Sequence, residues 1–253
     1  MRVVNPIAQN LSVMRSTLVG SLVEALKVNL ARKATRLRLF ELGKVYLRDA
    51  GASAGPTAVA GVHQPLKLGG LAFGAAAPLQ WGEAERPVDF FDVKGDLEAL
   101  FAPLRPGFVP VAHPALHPGR SAAIELDGAR VGFVGELHPR WRQAYELPGN
   151  AIVFELDAAA LMRRSVPTFE PLPKQQPAVR DLAVVAKKSV THQALKAAVE
   201  AGAAGVVRAS TLFDIYEPKT PVPGIADDER IESVVAGVLA SLESRLGVRL
   251  RAQ

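Results

Sequence analysis

With 253 residues, 49% of them hydrophobic, a formal net charge of +5 and no cysteine, the chain can bury one large core or two smaller ones. That composition excludes a disordered chain, a disulfide framework and thiolate chemistry, and it fits a reducing cytoplasm. No apolar run is long enough to span a bilayer and no signal peptide opens the sequence, while the mild positive charge permits an RNA partner without demanding one.

Ser16 to Leu47 is the most strongly patterned stretch. Leu18, Leu22, Leu26 and Leu30 recur every four residues, which predicts a helix with one buried stripe. Ser16 or Thr17 suits its N-cap, and Arg32-Lys33 suits the negative end of its dipole. From Leu37 the period changes to two. Leu37, Leu39, Glu41, Gly43 and Val45 share one face, and Arg38, Phe40, Leu42, Lys44 and Tyr46 share the other. Apolar residues on both faces predict a strand inside a sheet covered on both sides. Residues 48–56 then read as a flexible surface loop, residues 67–74 as a glycine-rich strand and residues 78–87 as another loop. Residues 88–104 predict a helix with Phe90, Val93, Leu97, Phe101 and Leu104 on one face, ended by Pro103. Residues 121–137 alternate around Asp127-Gly128, a turn pair suited to positive φ, and predict a hairpin. A short helix over 139–147 follows, then a strand over 151–156, with Asp157 capping a last helical turn at 158–162.

Residues 165–177 carry Pro167, Pro171, Pro173 and Pro177 without periodicity, so they read as a linker between domains 1–164 and 178–253. The second domain is expected to have strands at 180–186 and 206–216, helices at 191–201 and 228–246, and a closing strand at 248–251. That alternation predicts a ferredoxin-like split βαβ domain.

Several motifs, taken in order, carry a resemblance. N-P-I-A, S-V-M-R-S-T-L-V-G-S-L-V-E-A-L and R-L-F-E-L-G-K-V-Y, then H-P-G-R and G-E-L-H-P around the hairpin, then P-A-V-R-D-L-A-V-V and L-F-D-I-Y, resemble the last third of bacterial phenylalanyl-tRNA synthetase beta subunits. The resemblance implies an α+β architecture: a class II synthetase-like antiparallel sheet with flanking helices, then a ferredoxin-like anticodon-binding domain. It also implies that Met1 is a fragment start. One strand of that second domain is missing near 224–228, where Ile225-Ala226-Asp227 replaces it. Its loss would strand the backbone N–H and C=O groups of two neighbours, so residues absent from this sequence are the expected reason.

An active class II site needs two arginines, whose planar, permanently charged forks grip nucleotide phosphates. In the catalytic relatives the first follows the aromatic residue of a strand like the one ending at Tyr46, where this chain has Leu47. Arg48 is one place on and points to the opposite face. The second belongs to a glycine-rich turn before a helix, and Ala160 takes its place, with Glu155 and Asp157 where glycines would be. The resemblance therefore implies a synthetase-like module that is not catalytic. Its partner would be an alpha subunit that activates phenylalanine with ATP and Mg²⁺ in an α₂β₂ heterotetramer charging phenylalanine tRNA in the cytoplasm. No cofactor is expected in this chain.

His113, His117 and His138 each precede proline, and His63 lies in a loop. Three histidines can bind zinc, but no carboxylate sits beside them at a ligand spacing, and turn histidines are the ordinary reading. No P-loop motif occurs, and Gly51-Ala52-Ser53-Ala54-Gly55, which has the letters of G-x-S-x-G, falls in the surface loop and not in a strand-to-helix turn, so a hydrolase reading lacks support. For RNA the candidates are Tyr216, Arg180, Ala183, Lys187, Lys188 and Lys219, an aromatic platform beside cations and a small residue. The alternative for these is a core-edge tyrosine with solvated turn lysines. For a subunit contact the candidates are Leu18, Val19, Leu22, Val23 and Leu26, because Val19 and Val23 widen the leucine stripe beyond one sheet contact. The rival to a synthetase part is a free-standing RNA-binding or scaffold protein; an active class II ligase would need arginines at positions 47 and 160.

Overall fold

A computed structural model describes residues 1–9, 12–163, 166, 169, 179, 181, 184, 186, 190–202 and 207–215. The chain divides into two units, Met1–Phe169 and Glu170–Gln253, and the boundary falls inside the proline-rich stretch.

In the first unit the four-residue leucine period becomes helix α1 (Val19–Ala31). Lys33, at φ 65°, breaks the helical path behind it and turns the chain into β1 (Leu37–Lys44). Residues 49–56 of the expected loop lie in no strand, but the stretch is flanked by two short ones. Leu47–Arg48 (β2) and Val62–His63 (β3) pair as a small antiparallel ribbon. Beyond them β4 (Leu66–Phe73) returns beside β1.

Helix α2 (Phe90–Phe101) starts at a reciprocal cap: the Asp89 carboxylate accepts from the Phe91 and Asp92 N–H groups at 2.8 and 3.1 Å, and Asp92 accepts from the Asp89 N–H at 2.9 Å. Arg86 hydrogen-bonds the Asp92 carboxyl, which holds its pKa down at about 2. Strand β5 (Gly107–Pro110) precedes the hairpin of β6 (Leu116–Leu126) and β7 (Ala129–Leu137). The hairpin turn has Asp127 at φ 52° and Gly128 at φ 77°, the two positive angles its sequence predicts. Then come α3 (Pro139–Ala144), β8 (Ala151–Asp157) and the single turn α4 (Ala158–Leu161). Asp157 does not cap that turn. Its carboxylate pairs with Lys67 across the β4–β8 ladder instead.

The six-stranded sheet is antiparallel throughout, in the order β1-β4-β8-β7-β6-β5. One core lies between α1 and the sheet, with Leu18, Leu22, Val23 and Leu26 against Leu71, Phe73, Phe133 and Val153. The other lies on the opposite face, where Val93, Leu97 and Phe101 of α2 and Ala160 of α4 meet Ala72, Ile124, Val134 and Ile152. Each fully buried Leu or Val contributes roughly 1.5–3 kcal/mol against leaving it in water.

The sheet is not covered on both sides everywhere. Strand β1 lies at its edge, and Phe40 and Leu42 stay 80% and 59% exposed on the side that α2 would have to reach to cover them. Two glycines fix the middle of β4. A Cβ on Gly69 would lie 3.0 Å from the Leu18 Cβ, and one on Gly70 would lie 2.2 Å from the Phe154 ring.

In the second unit α5 (His192–Gly202) is described, and the Thr191 hydroxyl accepts from the Ala194 N–H at 3.2 Å as its cap. Residues 207–215, expected in a strand over 206–216, lie in no strand. The helix expected at 228–246 and the strand expected at 248–251 lie outside the described residues.

Candidate functional site

The sheet face under α1 carries Glu155, which stands where the catalytic pattern has a glycine. One register row crosses it: Glu41 opposite Gly69, Gly69 opposite Glu155, and Glu155 opposite Phe133. Each position is already taken. Glu41 pairs with Arg15 and accepts from the Ser21 hydroxyl at 2.9 Å, and Arg15 also donates to the Lys44 carbonyl at 3.0 Å. Leu18 sits over Gly69. Glu155, only 6% exposed, accepts from the Leu18 N–H at 2.6 Å and from the Thr17 hydroxyl at 2.7 Å. His113 stacks on Phe133 with ring centroids 4.1 Å apart. Burial, with the Arg130 charge adding, pushes the His113 imidazole below its ordinary pKa.

Glu155 therefore does more than repel phosphate. Helix α1 has no acidic residue in its first turn and its N-cap, Leu18, has no capping side chain. The Glu155 carboxylate, coming from β8, satisfies an N–H at the positive end of the helix dipole. A phosphate entering here would meet a buried carboxylate already bonded to those donors. The adjoining row is neutralised in the same way by Lys67 with Asp157. Glu155 lies in the strand expected over 151–156 and not in a turn, and its contact with α1 was not legible, because no local pattern reports a contact 137 residues away.

The two expected arginine positions carry no charge. Leu47 stands in β2, and Ala160 is 7% exposed inside the second core. Arg48 pairs with Val62 on the small ribbon. The histidines cap turns: the ring Nδ1 atoms of His113, His117 and His138 accept from the N–H groups of Ala115, Gly119 and Arg140 at 3.3, 3.1 and 3.1 Å. His63 lies in β3.

Leu18, Val19, Leu22, Val23 and Leu26, the stripe expected to meet another subunit, are between 0% and 5% exposed in this chain's own core. The added valines widen the stripe because α1 straddles β1, β4 and β8, not because a second surface waits for it. The RNA candidates Tyr216, Arg180, Ala183, Lys187, Lys188 and Lys219 lie outside the described residues.

Residues 1–158, which make this sheet and its filled face, match the profile of the phenylalanyl tRNA synthetase beta chain CLM domain. The chain belongs to that family. Its curated relatives agree. It is 52% identical over 227 residues to the phenylalanine–tRNA ligase beta subunit of Burkholderia lata, covering 88% of this chain and 28% of the relative. It is 49% identical over 234 residues to that of Cupriavidus pinatubonensis, covering 90% of this chain and 29% of the relative. The match to that of Dechloromonas aromatica is 42% identical over 266 residues and takes in 99% of this chain and 33% of the relative. That alignment is longer than this chain, so the relative carries residues that this family member lacks. The chain thus spans about a third or less of the family relatives it matches. A solved pyrrolysyl tRNA synthetase from Desulfitobacterium hafniense is similar at 14% identity and a TM-score of 0.40, covering 58% of this chain and 47% of that one. Among the described residues no helix is long and apolar enough to cross a membrane.

Proposed function

We propose that this chain is a non-catalytic part of a phenylalanine–tRNA ligase beta subunit, acting in the cytoplasm, whose first unit supports a catalytic alpha subunit and whose second unit binds the anticodon region of phenylalanine tRNA. The observation that carries the first half is the filled register row Glu41–Gly69–Glu155–Phe133. A site for ATP needs a concave, cationic and open surface; this row is closed by Leu18 and carries bound carboxylates. ATP and Mg²⁺ then belong to the alpha subunit, and the assembly is an α₂β₂ heterotetramer.

The second half rests on the family resemblance of residues 178–253. Tyr216 is the stacking residue, Arg180, Lys187, Lys188 and Lys219 meet phosphates, and Ala183 allows close approach. A ferredoxin-like sheet needs one more strand between Gly224 and Asp228, where this sequence has only Ile225-Ala226-Asp227, and residues absent from this sequence are the reading that completes it.

The test is a pair of measurements on the purified chain. Mixed with the alpha subunit, it is expected to elute as a complex in gel filtration. Titrated with tRNA, it is expected to prefer the native anticodon over an altered one. The Tyr216→Ala variant is expected to lose about 1–3 kcal/mol of binding, the usual cost of one stacked base. Failure to associate with alpha would make the chain a free-standing RNA-binding or scaffold protein. Equal binding of both anticodons would remove the anticodon role.

A further inference from the structure

The antiparallel ladder gathers three junctions at one end of the sheet. Leu37, the first residue of β1, faces Phe73, the last of β4, and Phe73 faces Ala151, the first of β8. The α1–β1 connection, the turn after β4 and the α3 segment before β8 therefore meet there. Their packing is close. A Cβ on Gly74, at φ 85°, would lie 2.0 Å from the Thr35 carbonyl oxygen, so only glycine fits that turn. Arg36 donates to the Ala76 carbonyl at 3.2 Å, and the Lys27 ammonium lies 5.7 Å from the centre of the Tyr145 ring.

This end is basic. Lys27, Arg32, Lys33, Arg36, Arg140 and Arg142 are all exposed. Among the described residues none of the six lies within 4.0 Å of a carboxylate, although Glu24, Glu85 and Glu146 are on the same junctions or beside them. Elsewhere Arg15, Lys67, Arg86, Lys94, Arg120 and Arg163 are each paired, while Arg2, Arg38, Lys44, Arg48 and Arg130 also have no carboxylate within 4.0 Å among the described residues. Lys33 holds a left-handed backbone position that glycine favours. A flat platform adjoins the cations: the Trp141 Nε1–H donates to the Pro114 carbonyl at 3.0 Å, and the Arg140 guanidinium lies 4.6 Å over the indole and donates to that same carbonyl at 3.0 Å. The indole is fixed in place and 37% exposed.

We propose that this end of the first unit is an RNA-binding surface for the phosphodiester backbone of a folded tRNA, with Trp141 and Arg140 as a stacking platform. Unpaired cations spread over three junctions match a repeating anion, and the fixed aromatic–guanidinium pair matches an unstacked base. The inference rests on the charge distribution of the first unit and does not depend on how the second unit binds RNA.

The experiment is a salt titration of binding to an unmodified tRNA transcript by the full chain. Arg32→Gln/Lys33→Gln/Arg36→Gln removes three patch charges; Lys44→Gln/Arg48→Gln/Arg130→Gln removes three at the opposite end of the sheet as a control. Three lost phosphate contacts lower the slope of log affinity against log salt by about 2–3, at roughly 0.9 for each contact on a duplex. The patch variant is expected to show that change, and the control is expected to stay within twofold of the parent. Hydrogen exchange at residues 31–36 and 139–146 is expected to slow when tRNA is added, a readout that needs no substitution. Equal losses in both variants, an unchanged patch variant, or exchange that tRNA leaves unaltered would overturn the proposal. Each result is read beside Tyr216→Ala, whose loss belongs to the second unit, so either RNA contact can fail while the other stands.

Discussion

Glu155 is the residue on which the first unit turns, because its carboxylate joins β8 to the start of α1 from inside the core. Replacing it with alanine leaves the buried Leu18 N–H and the partly buried Thr17 hydroxyl without that acceptor. An unsatisfied buried donor costs about 1–3 kcal/mol. Glu155→Ala is therefore expected to lower the unfolding free energy read from a urea titration by that amount, and Glu155→Gln, which keeps an acceptor oxygen, to recover part of it. Equal loss in both variants would mean that charge, not the hydrogen bonds, matters there. At this scale the sequence was readable where the chemistry is local. The Asp127-Gly128 turn has the positive φ angles that its residue types favour. Asp157 shows the limit: a capping residue by type and position, it pairs with Lys67, which lies 90 residues away in the chain. The Asp89–Asp92 cap was equally local and was passed over, since aspartate at the third helical position does the work more often given to glutamate.

At the scale of elements, periodicity located α1, β1, α2, the hairpin and β8, but it could not say what each face meets. That depends on strand order. Strand β1 alternates apolar residues on both faces as a central strand does, yet it ends the sheet. The glycine-rich stretch was legible as a strand, while the reason for Gly69 and Gly70 appears only when Leu18 and Phe154 are placed over them. The ribbon of β2 and β3 was missed because two-residue strands carry no period. The same geometry separates two substitutions. Val23 is 1% exposed, so Val23→Asp buries a charge among α1 and sheet residues and is expected to unfold the first unit rather than detach a partner. Phe40 is 80% exposed, so Phe40→Asp is expected to change stability by no more than about 0.5 kcal/mol. Thermal melts of the two variants check this. A folded Val23→Asp protein would return that helix face to the surface.

For the whole molecule, the first unit combines a six-stranded antiparallel sheet with a face that its own side chains close. Family membership was legible because its motifs lie in order along the chain; the proposed lack of catalysis was legible only as two missing arginines, Leu47 and Ala160 in their places. What the residues could not show was how the vacated face is used: Leu18 covers Gly69, Glu155 caps α1, and Arg15 with Glu41 and Lys67 with Asp157 cancel the remaining charge. The central claim is that this face does no chemistry on ATP. Phenylalanine-dependent exchange of pyrophosphate into ATP, measured on the purified chain alone and again with the alpha subunit added, tests it most directly. The account predicts no exchange above background for the chain alone and exchange that appears with the alpha subunit. Exchange that rises with the amount of this chain in the absence of the alpha subunit would contradict it.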